Sequence, residues 1–212
     1  MCAHLLPVRS TPVAVLDANV LYPAQLRDLL LRLAMDELFR AHSSREIHDE
    51  WMRNLVANRD DIGWENVEYT RSQMENAFPG ASVEGYKHRI TGLSLPDPDD
   101  RDVLAAAIEI EANYIVTNNL SDFPARVLAS EGICACSPDD FIMVLYHRHP
   151  VDVVTVVKTL RASLSNPPRT PDELVDDFQN GGLPTGGDGN ERISFRYLAL
   201  ADSSISGCPW AS

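Results

Sequence analysis

Four acidic residues stand at positions where oxygen chemistry could be assembled: Asp17, Glu50, Asp100 and Asp122. Asp17 ends the apolar run Val13–Leu16, and Asp122 follows Tyr114–Val116 by a few polar residues. Asp100 opens an alanine-rich run, and Glu50 lies inside a helical pattern. Asn19, Thr117, Asn118 and Asn119 add neutral polar groups beside the first and last of these. Asp97, Asp99 and Asp102 surround the third. Carboxylates gathered without compensation repel one another and lose hydration. A hard divalent cation relieves that cost, and Mg²⁺ is usually held by one or two carboxylates, waters and a substrate phosphate. Such an ion can activate water and stabilise charge on a phosphoryl group in transfer. The pattern therefore suggests metal-assisted phosphodiester hydrolysis.

Each residue also has a plainer reading. Asp17 can be a turn residue after a strand, and Asn118 and Asn119 can shape a turn. Asp99 or Asp100 can cap the following helix, as Asp122 can cap the next. Glu50 can be an exposed helix residue.

The elements that must position these residues alternate. Val13–Leu16 reads as a buried parallel strand. Leu26, Leu29, Leu30 and Leu33 recur at helical spacing and predict a helix over about residues 24–38. A short strand over Leu38–His42 precedes a helix capped by Ser43 or Ser44 and reaching about Asn58, with Glu46 placed early for the helix dipole. Residues 64–77 read as helix, ended by Pro79-Gly80, and 92–98 as loop. A helix from Val103 to about Ala112, a strand over Tyr114–Thr117, a helix to about Ser130 and a strand over Ile133–Cys136 follow. The alternation predicts an α/β layer fold with a mostly parallel sheet. In such sheets ligands bind beyond the carboxyl ends of the strands, where Asp17, Asn19, Thr117, Asn118 and Asn119 should converge.

After Pro138 the pattern becomes helical, with helices expected over 139–146, 151–164 and 171–178. The expected organisation is a nuclease-like domain over 11–137, a helical region over 138–184 and a flexible tail over 185–212. The glycine-rich run Gly181–Gly187 reads as a linker, and Ile193–Leu200 as a candidate strand in the tail.

The net charge of −13 argues against direct attraction of a polyanion, so a divalent metal is the natural mediator. The four cysteines, Cys2, Cys134, Cys136 and Cys208, form no dense framework, which fits a reducing cytoplasm. Cys134 and Cys136 could share a strand face, but no zinc-like partner pair is present in the sequence. No run suits a membrane span, and the first residues do not read as a secretory signal. Trp51 and Trp64 read first as packing or partner-surface residues, with base stacking the alternative. His147 and His149 flank Arg148 in an expected exposed turn. The stripe Val153, Val154, Val157, Leu160 and Leu164 reads as core or interface.

Four blocks in order carry a resemblance: Asp17–Tyr22 (DANVLY), Ser44–Trp51 (SREIHDEW), Leu95–Ala107 (LPDPDDRDVLAAA) and Ile115–Pro124 (IVTNNLSDFP). Over about residues 11–137 the chain resembles the PIN-domain family, and more narrowly the VapC-type toxins of bacterial toxin–antitoxin pairs. The segment ending near Gly182-Leu183-Pro184 resembles, more loosely, the C-terminal region of a longer VapC-like subgroup. The resemblance implies a three-layer α/β/α sandwich and an endoribonuclease dependent on Mg²⁺ or Mn²⁺. It matches Asp17, Glu50, Asp100 and Asp122 to the four acidic positions, Asn119 to the polar residue of the last block, and Asn19 and Thr117 to supporting positions. Asp102 is the alternative to Asp100. Where some relatives carry Asp, this chain has Asn119, so the fourth charge rests on Asp122. The implied partners are an RNA substrate, a cognate antitoxin sending a basic segment into the acidic pocket, and a second copy in a homodimer, with no membrane.

Other readings remain. The family fold could act on DNA, or serve as a non-catalytic metal- or RNA-binding module. A haloacid-type phosphatase would need a second Asp at position 19, where Asn stands. A dinucleotide enzyme would need a Gly-x-Gly-x-x-Gly after the first strand, which is lacking.

Overall fold

The computed structural model describes residues 10–165 and 167–180. The expected linker and tail, the 193–200 strand, Cys2 and Cys208 lie outside them. In chain order the elements are β1 (Val13–Leu16), α1 (Ala18–Leu21), α2 (Ala24–Met35), β2 (Arg40–Ser44) and α3 (Arg45–Asn58). Then come α4 (Trp64–Ala77), β3 (Ser82–Val83), α5 (Lys87–Ile90), α6 (Arg101–Glu109) and β4 (Tyr114–Val116). The rest are α7 (Ala125–Leu128), β5 (Cys134–Cys136), α8 (Pro138–Arg148), α9 (Pro150–Ser163) and α10 (Pro171–Asn180).

The five strands form one parallel sheet in the order β3-β2-β1-β4-β5. β1 and β4 are buried throughout because neighbours cover both faces, which explains their unbroken apolar sequence. From β1 the chain builds outward through β2 to β3, then returns to place β4 and β5 on the other side. The strand order therefore reverses between β1 and β4, and a crevice must open there beyond their carboxyl ends. Leu16 stands opposite Val116, so the next residues, Asp17 and Thr117, face each other across that crevice.

The expected α/β sheet flanked by helices is what the chain forms. β2 sits two residues later than its hydropathy suggested, because pairing with β1 sets its register: Val13 pairs with Arg40 and Val15 with His42. Leu38 and Phe39 are buried just before the strand instead. α1, β3 and α5 are too short to leave a periodic signal.

The helices after Pro138 share the core of the sheet. Phe141 on α8 packs edge-on against Phe39 at 4.9 Å and tilted against Tyr114 at 5.4 Å. Val153, Val154, Val157 and Leu160 of α9 are buried in the same cluster, as are Leu174 and Phe178 of α10. The valine stripe is thus internal packing, and no helix among the described residues is long and apolar enough to cross a membrane.

Candidate active site

Asp17 begins the site. Its backbone N–H continues the ladder to Val116, leaving the side chain at the mouth of the crevice, where it is buried. Oδ1 accepts from the Ala18 N–H at 2.7 Å. Oδ2 accepts from Thr117 Oγ1 at 2.7 Å and from Asn19 Nδ2 at 2.6 Å. Thr117 Oγ1 accepts in turn from Asn19 Nδ2 at 2.9 Å and from the Asn119 N–H at 3.0 Å. Asn19 Oδ1 takes the Asn118 N–H at 2.9 Å. The carboxylate is held in one orientation by a closed network spanning β1 and β4. Burial pushes the Asp17 carboxyl up, opposed by the hydrogen bonds from Thr117, Ala18 and Asn19, while the charge of Asp122 pushes it further up.

Three other elements bring charge to this point. Ser44 caps α3 by accepting the Ile47 N–H, and the helix carries Glu50 to the crevice. The loop before α6 brings Asp97, Asp99 and Asp100, with Asp97 Oδ1 accepting from the Asp99 N–H at 2.9 Å. A single 3₁₀ turn, Leu120–Asp122, presents Asp122. Burial raises the Asp100 carboxyl to about 7, aided by the negative charges of Asp17, Asp122, Asp97 and Glu50. Burial raises Glu50 as well, and Asp17, Asp99 and Asp97 add to it against the nearby Arg53. Asp100 therefore feels the charge of all three other sequence-derived acids.

The plain readings fail at two of them. Asp100 occupies the cap position of α6 but makes no side-chain capping hydrogen bond. The residue before α7 is Pro124, so Asp122 does not cap that helix either. Asp102, the alternative third acid, lines the same crevice, but different charges act on it: burial, Glu46 and Asp99 raise it, while Lys87 lowers it. Thr117 is fully buried and its hydroxyl is engaged by Asp17, Asn19 and Asn119, so it orients Asp17 and does not reach outward. Asn119 is exposed and lines the crevice.

Among the described residues no three His, Cys, Asp or Glu side chains are gathered as a ready metal cage. Mg²⁺ does not require one, since water supplies most of its ligands. What fits such an ion here is the donor set of hard carboxylate oxygens with like charges acting on one another, beside a crevice of about 910 Å³ that Glu50 and Asp100 line. Glu46 and Asp49 on the crevice wall are offset by Lys87, Arg45 and Arg71, whereas no basic side chain among the described residues forms an ion pair with Asp17, Glu50, Asp100 or Asp122.

A family model described as PIN domain matches residues 13–121. The chain belongs to the PIN-domain family. A second model, described as the VapC50 C-terminal domain, matches residues 138–186, which are α8 to α10 and the residues just after them. The chain is 38% identical over 101 residues to the Mycobacterium tuberculosis (strain H37Rv) protein named "Putative ribonuclease VapC50". That alignment covers 48% of this chain and 59% of the relative, so the chain spans less than two thirds of its length. No solved structure matches significantly.

Two features of this PIN domain were not legible beforehand. Arg53 and Asn54, one turn beyond Glu50 on α3, also line the acidic crevice. Only the i+3 and i+4 spacing from Glu50 could have pointed to them. Of the two tryptophans weighed for base stacking, Trp51 is fully buried, whereas Trp64 is half exposed and stands at the crevice.

Proposed function

We propose that this PIN protein is a Mg²⁺- or Mn²⁺-dependent endoribonuclease, the toxin of a cytoplasmic toxin–antitoxin pair. The observation that carries the reading is the set Asp17, Glu50, Asp100 and Asp122, none of them in an ion pair among the described residues, near the point where the strand order reverses. Its supports are the family match and the relative named as a ribonuclease.

Asp17 and Asp100 would hold the metal directly, with Glu50 and Asp122 joining through water. When bound, the ion supplies an activated water and neutralises charge on the phosphate. The Thr117–Asn19 network keeps Asp17 oriented while charge shifts around it. Glu50 and Asp122 accept hydrogen bonds from attacking and leaving-side waters, and Asn119 offers an exposed amide to water or phosphate. In-line attack on phosphorus breaks the bond to the 3′-oxygen and leaves a 5′-phosphate and a 3′-hydroxyl.

A net charge of −13 and an acidic crevice suit a basic antitoxin segment, whose Arg or Lys would be drawn into the cluster and block it. Assembly as a homodimer belongs to the same reading. The test is cleavage of RNA by purified protein with Mg²⁺, with EDTA, and with Asp17→Ala. Cleavage surviving both EDTA and the substitution would refute the mechanism. Single-stranded DNA run alongside decides between RNA and DNA, and metal binding with no turnover on either would support a non-catalytic module.

A further inference from the structure

The acidic crevice extends beyond its carboxylates. It follows α3 from Glu50 past Arg53 and Asn54 to Trp64, the first residue of α4. Three observations bear on this extension.

Trp64 is 50% exposed, whereas Trp51 is fully buried with its indole N–H donated to His48 Nδ1 at 3.0 Å. A half-exposed indole lining a polar crevice leaves apolar ring surface open to whatever enters that crevice. Arg53 is the one basic residue lining the crevice. Its Nε donates to the Asp49 carbonyl at 3.1 Å and its charge acts on Glu50, but among the described residues it forms no ion pair. Arg45, Arg71 and Lys87 nearby are engaged by Asp49, Glu75 and Glu46. The chain as a whole is strongly acidic, so a polyanion approaching this wall needs a local cation and a contact that does not depend on charge.

The geometry points to a nucleotide subsite built from Arg53, Asn54 and Trp64, beside the scissile position. Trp64 stacks an unpaired base, Arg53 takes the adjoining phosphate, and Asn54 offers hydrogen bonds to base or sugar. The substrate class is single-stranded RNA or a hairpin loop, since a base inside a duplex has no free face for the indole. Arg53 and Trp64 bind the strand and take no part in the chemistry. The inference rests on the nuclease reading for the identity of the strand.

The test measures affinity and cleavage separately in the full chain. Anisotropy of a fluorescein-labelled RNA hairpin is read in EDTA for wild type, Trp64→Ala, Trp64→Phe and Arg53→Gln. Cleavage of the same hairpin is read in Mg²⁺. Trp64→Ala should weaken binding about tenfold, the scale of one stacked base, while Trp64→Phe loses far less. Arg53→Gln should reduce the slope of log affinity against log salt by about 0.7, the value for one phosphate on a single strand. Thermal melts matching wild type show that these exposed substitutions leave the fold intact. Trp64→Ala binding within about twofold of wild type overturns the subsite, as does a wild type without affinity for the hairpin. Loss of a co-expressed protein partner with RNA affinity unchanged also overturns it and assigns the surface to that partner. Failure of the nuclease reading shows separately, as intact RNA in Mg²⁺ whatever the anisotropy reports.

Discussion

Thr117 donates its hydroxyl to Asp17 Oδ2 across 2.7 Å, joining two residues a hundred positions apart at the ends of adjacent strands. The same oxygen takes the Asn19 amide, so the carboxylate has one orientation. Outer hydrogen bonds of this kind typically contribute about 10–100-fold to metal affinity or activity. Thr117→Val should therefore lower Mn²⁺ affinity by about tenfold or more in calorimetry, and RNA cleavage with it. Equal affinity in wild type and variant would show that Asp17 needs no such support.

Asp100 and Asp102 are separated by one residue and line the same crevice, but different charges act on them. Asp100 shares its surroundings with Asp17, Asp122 and Glu50, and Asp102 shares its own with Glu46 and Lys87. Asp100→Asn should lose cleavage by about two orders of magnitude or more, the scale on which a group stabilising transition-state charge acts. Asp102→Asn should retain activity within a few-fold. The reverse ranking would reassign the third acidic position to Asp102.

β1 and β4, and with them the place of Asp17 and Thr117, were readable because each of these two strands is a buried apolar run ending in a polar residue, whereas β2 and β3 carry no such run. The sense of each end was harder. Helix stops at α2 and α6 were placed too late because no glycine marks them. Glu37 and Glu111 take the left-handed conformation there, at φ 59° and 52°. Leu38 N–H returns to Leu33 O and Ala112 N–H to Ala107 O, the pattern a glycine usually closes. Nor could composition reveal that Arg27, on the leucine-rich helix, is buried with its guanidinium 4.8 Å over the Trp51 ring. Tertiary contacts decide such positions, and they leave no trace in periodicity.

Those helix ends give a stability prediction. The left-handed conformation costs a non-glycine residue roughly 1–2 kcal/mol, part of which glycine returns as unfolded-state entropy. Glu111→Gly should raise the unfolding free energy by about 0.5 kcal/mol, read from the urea midpoint at unchanged slope. A loss of stability would mean that the Glu111 side chain makes a contact worth more than its strain.

The metal-free protein should lose stability as pH rises through the range set by Asp100. Its carboxyl titrates at about 7 in the fold against an ordinary 3.8, so between those values the folded state binds more protons than the unfolded. Stability then falls with increasing pH. Melting temperatures in EDTA should drop across this window, less so in Asp100→Asn, and saturating Mg²⁺ should restore them by binding the folded state. A melting temperature that rises steadily to pH 7 in EDTA, equally in both proteins, would contradict the crowding of charge at Asp100.

His48 imposes the opposite slope. Burial and the positive charge of Arg71 lower its imidazole from 6.5 to about 4, and Nδ1 accepts the Trp51 indole N–H, so the ring is neutral in the fold. Between those values the unfolded chain takes up a proton that the folded chain does not. Stability is therefore complete above the ordinary value and is lost as pH falls toward about 4. His48→Leu removes this acid limb but orphans the buried Trp51 N–H, at a cost of about 1–3 kcal/mol. The variant should be less stable than wild type near neutrality and should converge with it on acidification. Parallel curves for the two proteins from neutral to acid pH would show that His48 is protonated as readily in the fold as in the unfolded chain.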